Sequence, residues 1–282
     1  MKILKILDFY RVRDWIKSLG FSILGLSLFV INPFLLFLGL IQACFLFSFL
    51  FSFNDFGDYI VHEEKNFIGN LIRKSSLSKE VILLFTLLPV FLSTIPLFLN
   101  FSVKYLIFYL LFIILSISYS VPMIRLRDIP YVDVICNTTF FFLIFIQSYF
   151  FLNTEFNVKV FFFLFWAAFH SFSHEIIHQI SHFLKDKKSG RISTVILIGR
   201  RRSIFLLKFI FLIPIMFGVL MFLLFSGLRA FAGIMILFNF IRLFYIRKIN
   251  MKSNFEKLRN RLWGSFEGGL YFIFNMLSIL II

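Results

Sequence analysis

Six polar residues end a long apolar run of the sequence. They carry carboxylate, amide or imidazole groups and are Asn54, Asp55, Asp58, His62, Glu63 and Glu64. An unpaired charge in apolar surroundings costs free energy, so carboxylates on the last turns of an apolar helix are typical of a cation site or a functional cavity. Asn54, Asp58 and His62 follow at four-residue steps, which places them on one helical face. Glu63 and Glu64 are interpreted as solvated residues beyond the helix end.

A second polar strip with the same spacing occurs much later in the chain. His178, His182 and Asp186 also follow at four-residue steps, and a basic stretch comes after them. Each strip therefore predicts one polar face at the end of a helix. Whether the two strips act together depends on the elements that carry them.

Those elements belong to a membrane protein. Of the 282 residues, 60% are hydrophobic and 46 are Phe, an apolar share well above that of soluble domains. A membrane-spanning helix needs roughly 20 mostly apolar residues. The sequence predicts an all-α integral membrane protein with a single domain, residues 1–282. The nine predicted spans are 16–32, 34–54, 79–99, 103–121, 131–151, 158–181, 203–226, 229–246 and 262–282.

The basic residues predict how these spans are oriented. Most of the 29 Lys and Arg residues lie in the N-terminal segment or in loops that follow even-numbered spans, whereas Lys104, Lys159 and Arg229 lie on the other side. By the positive-inside rule, the N-terminus and both polar strips face the cytoplasm. This topology also explains the net charge of +15, so no nucleic-acid partner is predicted. The predicted location is a prokaryotic plasma membrane.

Two stretches around the first strip resemble motifs of the UbiA superfamily of membrane-embedded prenyltransferases. NDFGDYIVH (54–62) is similar to the family's NDxxDxxxD motif, with His62 where the last Asp belongs. NLIRKSSLS (70–78) is similar to the NPIxxGxIS segment and contains Arg73. The opening RVRDWIKS (11–18) is a weaker fit, through Trp15 and Lys17, to the basic start of the family's first helix.

Two later stretches extend the resemblance in the family's order. YSVPMIRLRDIPYVD (119–133) is similar to YSxPPxRxKxRPxxD, with Arg127 in place of a Lys; the matching residues are Tyr119, Arg125, Pro130 and Asp133. HQISHFLKDKKSGRIST (178–194) is similar to HQxxDxxxDxxxGxxT, with His182 in place of an Asp and Thr194 one residue late. The matching residues there are His178, Gln179, Asp186 and Gly190.

The resemblance implies both a fold and an activity. The fold would be a ring of nine helices around a central cavity, with the two motifs facing each other beneath a cytoplasmic cap. The activity would be transfer of an isoprenoid group from a polyprenyl diphosphate to a lipophilic acceptor, with release of pyrophosphate. Mg²⁺ is the implied cofactor, because oxygen ligands on two helices can hold ions that neutralise the departing diphosphate. Membrane lipid is the other predicted partner, and the sequence predicts neither the acceptor's identity nor the oligomeric state.

The resemblance also implies roles for individual residues. The catalytic carboxylates would be Asp55, Asp58 and Asp186. The metal ligands would be Asn54, Asp55, Asp58, His62, His178, His182 and Asp186. The diphosphate would be bound by Arg73, Tyr119, Arg125, Arg127 and Lys187. The alternative for any one of these cations is that it only follows the positive-inside topology.

Histidine replaces an expected Asp in each motif, at His62 and His182. Mg²⁺ prefers oxygen ligands, whereas imidazole suits Mn²⁺, Fe²⁺ or Zn²⁺. Three outcomes are open: weakened use of Mg²⁺, use of Mn²⁺ or another divalent metal, or a non-catalytic lipid-binding protein that keeps the fold. The first is our hypothesis, because at least one carboxylate remains in each motif.

Residues 174–178 spell HEIIH and support a competing interpretation. The pattern HExxH places two His ligands on one helical face with a Glu base between them, as in zinc metalloproteases. His174 and His178 would then bind zinc, and Glu175 would activate water in an intramembrane protease. This alternative gives the cluster from Asn54 to Asp58 no task.

Overall fold

The computed structural model describes residues 3–27, 32–63, 66–74, 78–152, 155–189 and 192–247. Within these ranges every regular element is helical, which confirms the all-α prediction. The first eight α-helices are α1 (Ile3–Phe9), α2 (Val12–Trp15), α3 (Leu19–Ser27), α4 (Pro33–His62), α5 (Phe67–Lys74), α6 (Lys79–Ser93), α7 (Ile95–Leu99) and α8 (Val103–Ser120). The others are α9 (Val132–Leu152), α10 (Val158–Ser189), α11 (Thr194–Ile198), α12 (Arg200–Leu224) and α13 (Arg229–Arg247). Short 3₁₀ turns occur at Ile16–Ser18, Leu126–Asp128 and Ser226–Leu228.

Six helical stretches of the described residues are long and apolar enough to cross a membrane. They correspond to the second through seventh predicted spans and are Pro33–Val61, Lys79–Leu99, Val103–Ser120, Val132–Leu152, Val158–Leu184 and Arg200–Leu224. The apolar part of α13, Phe231–Phe244, is shorter and falls within the eighth predicted span. Only residues 19–27 of the first predicted span form a described α-helix, and the ninth span lies outside the described residues. The count of nine therefore stays a prediction.

The chain divides into two compact units. The first comprises residues 1–26, 30–127 and 143–155, and the second comprises residues 27–29, 128–142 and 156–282. Within the first unit, α4 packs against α6 and α8. Within the second unit, α12 packs against α10 and α13. The single-domain organisation stays a prediction.

Local sequence determines where α4 begins and ends. The Asn32 side chain caps the helix by accepting hydrogen bonds from the backbone N–H groups of Phe34 (3.1 Å) and Leu35 (3.2 Å). The middle turns bury large apolar side chains in the core of the first unit, including Leu46, Phe47 and Phe49. The helix ends where Glu63 takes a left-handed conformation with φ of 49°. The polar strip therefore lies on the last turns of a helix whose middle is apolar.

One face of α10 forms the core of the second unit. Ile176, Ile177 and Ile180 are buried in a cluster that includes Leu207 and Phe211 of α12. These isoleucines lie on the side of α10 opposite to the second polar strip, as the 3.6-residue period requires. Burial of the apolar face therefore turns the polar face of α10 away from this core.

Candidate active site

The first polar strip lines a cavity in the first unit. The cavity has a volume of about 480 Å³, and Asn54, Asp55 and Asp58 all contribute to its wall. The carboxylates of Asp55 and Asp58 are largely buried, since these residues are only 5% and 3% exposed. The remaining wall is formed by Leu7, Asp8, Arg11, Arg13, Asn66, Phe67 and Arg127. The spacing read from the sequence thus brings three predicted residues to one cavity.

Two guanidinium groups from the loop after α8 hold Asp58. Arg125 donates from Nη2 to Oδ1 of Asp58 at 2.9 Å and from Nη1 to the carbonyl oxygen of Gly57 at 3.3 Å. Arg127 donates from Nη1 to Oδ2 of Asp58 and to Oδ1 of Asn54, the latter at 3.1 Å. Arg125 has a left-handed backbone, φ 40°, which is costly for a residue other than glycine. Its contacts with the motif hold the loop in this conformation.

A third guanidinium comes from the N-terminal segment. Arg11 donates from Nη1 to Oδ1 of Asp55 at 3.0 Å, and its backbone is also left-handed with φ of 51°. Trp15 anchors this segment, because its indole N–H donates to the carbonyl oxygen of Tyr10 at 2.6 Å and its ring stacks on Phe47. The sequence did not assign Arg11 to the site. The weak resemblance of residues 11–18 to the family's first helix was the signal that pointed toward it.

Asn66 attaches the following loop to the same motif. Its Nδ2 donates to the carbonyl oxygen of Asp55 at 2.7 Å, and its Oδ1 accepts from the backbone N–H of Gly69 at 2.7 Å. The second bond caps the start of α5. Asn66 is a further residue of the cavity wall that the motif comparison did not single out.

Three guanidinium groups therefore face two carboxylates in this part of the first unit: Arg11, Arg125 and Arg127 against Asp55 and Asp58. Buried ion pairs lose hydration on both partners, so their net contribution to stability is small or negative. A cluster of this kind, placed around a cavity, is instead typical of a binding site for a charged ligand.

Other predicted residues of the first unit lie in different surroundings. Arg73 donates from Nη2 to the carbonyl oxygen of Glu63 at 2.8 Å, and its guanidinium lies 5.7 Å from the ring centre of Tyr59. Tyr119 is buried in the last turn of α8. The side chain of His62 lies outside the described residues. The diphosphate roles of Arg73 and Tyr119 stay predictions.

The second polar strip lies near the end of α10 in the second unit. The rings of His178 and His182 are neighbours, with 4.6 Å between their centres. Asp186, one turn further, is only 8% exposed, whereas Lys187 next to it is exposed. These side chains share one face of the helix as predicted from their spacing. Their joint action with the first strip stays a prediction.

The HEIIH segment is also part of α10. Oε1 of Glu175 accepts a hydrogen bond from Nε2 of Gln179 at 3.0 Å. Across the part of the chain that the structure describes, no three His, Cys, Asp or Glu side chains are grouped so as to hold a metal ion. The described residues therefore show no preassembled site for zinc or for any other metal ion.

The motifs and the helical fold agree with a comparison against known protein families. The UbiA prenyltransferase family matches residues 18–268. The chain belongs to this family. That match confirms the resemblance inferred from the four sequence stretches. A comparison with curated proteins found no match to this sequence.

Solved structures of UbiA homologues from Archaeoglobus fulgidus share the fold. The homologue bound to GPP and Mg²⁺ has a TM-score of 0.80 at 21% identity, over 98% of this chain and 97% of that chain. The homologue bound to DMAPP and Mg²⁺ has a TM-score of 0.80 at 19% identity, over 99% and 100%. A structure bound to Cd²⁺ has a TM-score of 0.77 at 20% identity, over 98% and 97%. These matches cover 98–99% of this chain.

Proposed function

We propose that this protein is a membrane prenyltransferase that moves an isoprenoid group from a polyprenyl diphosphate to a lipophilic acceptor and releases pyrophosphate. The observation that carries the proposal is the cavity where Asn54, Asp55 and Asp58 meet arginine side chains. Oxygen ligands for a cation and donors for an anion lie there side by side. A diphosphate with a bound divalent metal ion needs both the oxygen ligands and the hydrogen-bond donors.

The oxygen atoms of the first motif suit Mg²⁺. This ion is usually bound by one or two carboxylates together with substrate phosphates and water, rather than by a cage of protein ligands. Asp55 and Asp58 supply two carboxylates, and Asn54 supplies an amide oxygen at the same cavity. His178, His182 and Asp186 would form the second ligand set. Because three imidazoles, those of His62, His178 and His182, belong to the full predicted set, Mn²⁺ or another divalent metal is the alternative cofactor.

The arginines would take up the negative charge of the diphosphate. Guanidinium groups form strong, often bidentate hydrogen bonds with phosphate oxygens. Arg11 and Arg127 line the cavity and already donate to the motif, and Arg13 is an exposed cation on the same wall. A bound divalent ion would neutralise the leaving diphosphate and so favour cleavage of its bond to the allylic carbon. Arg73, Arg125, Tyr119 and Lys187 are the other proposed contacts.

Apolar groups beside the charges would receive the isoprenoid. Phe67 and Leu7 belong to the cavity wall, and the Arg11 guanidinium lies 5.1 Å from the ring centre of Phe51. Aromatic faces stabilise cations, including a developing allylic cation, and apolar walls limit access of water. The polar head and the hydrocarbon chain of one substrate would thus find matching surroundings within a short distance.

Other parts of the proposal have indirect support. The homologues bound to GPP or DMAPP with Mg²⁺ support a prenyl diphosphate as the donor and a divalent metal as the cofactor. The excess of Lys and Arg in the N-terminal segment and in the loops after even-numbered spans supports a cytoplasmic active-site side. A prokaryotic plasma membrane is the proposed location. We also propose that the two polar strips act on one diphosphate.

Prenyl transfer by purified protein tests this function directly. The protein in lipid nanodiscs is supplied with geranyl, farnesyl or geranylgeranyl diphosphate, a membrane lipid extract as acceptor, and Mg²⁺ or Mn²⁺. Pyrophosphate release and prenylated lipid are measured by a coupled assay and by mass spectrometry. We expect turnover in the wild type and a loss of more than about 100-fold in Asp58→Ala, because even indirect partners of metal ligands are worth about 10–100-fold.

The matched control is Glu155→Ala, which removes an exposed carboxylate outside both strips. It should retain wild-type turnover. Metal-dependent binding of the diphosphates without turnover under every condition would overturn the enzyme assignment in favour of a lipid-binding protein. Equal activity of Asp58→Ala and wild type would overturn the role of the cavity.

A further inference from the structure

A buried network in the second unit joins motif residues that have no metal or phosphate role. Asp133 is only 4% exposed, yet its carboxylate is fully engaged. Oδ1 accepts from the hydroxyl of Thr194 and from the backbone N–H of Val134, each at 2.7 Å, and Oδ2 accepts from Nε2 of Gln179 at 2.7 Å. Three donors therefore compensate the burial of this carboxylate.

Gln179 is the connection to α10. Its Nε2 also donates to Oε1 of Glu175 at 3.0 Å, and its Oε1 accepts from the backbone N–H of Val195 at 3.2 Å. The amide nitrogen thus faces two carboxylates and the amide oxygen faces an N–H group. This pattern permits only one orientation of the side chain, because a flipped amide would turn its oxygen toward the carboxylate of Asp133.

Thr194 completes the connection to the backbone around Tyr131. The Thr194 hydroxyl donates to Asp133 and accepts from the backbone N–H of Tyr131 at 2.7 Å. Tyr131 has a left-handed conformation with φ of 67°, which these bonds help to hold. Three chain segments, 131–134, 175–179 and 194–195, are therefore tied together by the side chains of Asp133, Gln179 and Thr194, which we call the Asp133 clamp.

The clamp lies on the helix face that carries the second polar strip. Gln179 precedes His182 by three residues and Asp186 by seven, and both spacings return to the same side of an α-helix. A rotation of α10 that moves Gln179 therefore moves His182 and Asp186 through the same angle. Holding Gln179 in place therefore also holds the direction in which the side chains of His182 and Asp186 point.

We propose that the Asp133 clamp is a positioning device that sets the rotation of α10, and thereby the aim of His182 and Asp186 at the metal-bound diphosphate. The proposal rests on the proposed function, since it assigns the two side chains as ligands. Asp133, Gln179 and Thr194 act through α10 and touch neither metal nor substrate.

Removing the Thr194 hydroxyl is the mildest test. Thr194→Val keeps the shape of the side chain and deletes both one donor to Asp133 and the acceptor for the backbone N–H of Tyr131. Thr194→Ser restores a hydroxyl. The control is Thr138→Val, the same chemical change at a hydroxyl that only bonds the carbonyl oxygen of Val134 one turn earlier. All variants are examined in nanodiscs as full-length protein, with thermal unfolding measured alongside.

The decisive measurement is the affinity for Mn²⁺ by electron paramagnetic resonance, with inorganic pyrophosphate present and no turnover. We expect Thr194→Val to bind Mn²⁺ about 10-fold more weakly, because partners that orient metal ligands are worth about 10–100-fold in affinity. Thr194→Ser should recover most of the affinity, and Thr138→Val should match wild type. Hydrogen exchange of residues 175–189 should rise only in Thr194→Val.

The outcomes separate the clamp from the function. Unchanged Mn²⁺ affinity in Thr194→Val, with or without a loss of thermal stability, would overturn the positioning role and leave Asp133 as part of the core. Absence of Mn²⁺ binding in the wild type would instead overturn the proposed function, whatever the clamp variants show. Asp133→Asn provides a second check, since its amide would oppose Nε2 of Gln179 and should weaken Mn²⁺ binding in the same way.

Discussion

Replacing Gly57 by Ala should strongly lower kcat/KM for prenyl transfer, while the free energy of unfolding changes little enough for the protein to stay folded. Gly57 lies between the two carboxylates of the first motif, where α4 approaches the end of α8. A Cβ atom at position 57 would lie 2.5 Å from the carbonyl oxygen of Ser120. Ordinary contact begins at 3.4 Å, so the end of α8 would have to move by about 0.9 Å, the difference between these distances. A backbone atom cannot avoid the clash by changing rotamer.

The cost can be worked out for stability and activity separately. Overpacking costs about 1–3 kcal/mol and Ala gains about 1 kcal/mol over Gly in a helix, so the free energy of unfolding should fall by about 0–2 kcal/mol. Ser120 ends α8 directly before the loop that carries Arg125 and Arg127 to Asp58. A displacement of about 1 Å at such groups costs about 100-fold in rate. We therefore expect kcat/KM to fall about 100-fold while the protein remains folded.

Gly25→Ala is the matched control, because it creates an equally severe clash away from the motif. Its Cβ would lie 2.4 Å from the carbonyl oxygen of Phe145. Both variants are assayed for prenyl transfer and for thermal unfolding in detergent micelles. Gly25→Ala should lose a similar amount of stability but keep most of its kcat/KM. Equal activity losses in the two variants, or wild-type activity of Gly57→Ala, would refute the reasoning.

Other contacts give expectations that simpler assays can check. Arg127→Gln removes charge-assisted hydrogen bonds worth about 1.5–3 kcal/mol each, so steady-state kinetics should show the KM for the prenyl diphosphate raised by about 10–150-fold. Substitution of the exposed Arg201 by Gln should leave this KM unchanged. EDTA should stop pyrophosphate release and added Mg²⁺ should restore it; no response to EDTA would exclude a role for a metal ion. His182→Asp should lower the Mg²⁺ concentration needed for the half-maximal rate. Ser22→Ala leaves its buried partner Ser148, 2.8 Å away, without that hydrogen bond. Thermal unfolding should show that Ser22→Ala lowers the free energy of unfolding by about 1–3 kcal/mol. The double variant Ser22→Ala/Ser148→Ala should lose less than the sum of the losses of the two single variants.

Local features of the site could be predicted from the sequence. Asn54, Asp55 and Asp58 lie within two turns of one helix, so their common direction follows from the helical period alone. Arg125 and Arg127 were found because they belong to a stretch that resembles a family motif. The long apolar runs likewise predicted six spanning helices, since length and hydropathy determine a spanning helix. Two of them extend beyond the predicted ends at residues 54 and 181, because α4 continues to His62 and α10 to Ser189.

Features that depend on tertiary packing were not predicted. Arg11 is 44 residues from Asp55 in sequence, and their hydrogen bond becomes visible only when the N-terminal segment, anchored through Trp15, is seen packed beside the motif. Arg73 was assigned from its motif, but the rotation of α5 turns its guanidinium toward the carbonyl oxygen of Glu63. Asp133 matched a motif position without any role, because the role appears only when three separate segments meet.

The charge balance of the first cavity favours a metal–diphosphate complex over either ion alone. Arg11, Arg125 and Arg127 carry one more charge than Asp55 and Asp58 can neutralise. A divalent cation alone would add positive charge to a cluster that is already positive. A diphosphate alone would satisfy the arginines but draw them away from buried carboxylates, which would then lack a partner. Bound together, the two ions would let Asp55 and Asp58 hold the metal while the guanidinium groups turned to the phosphate oxygens, so each ion would stabilise the site for the other.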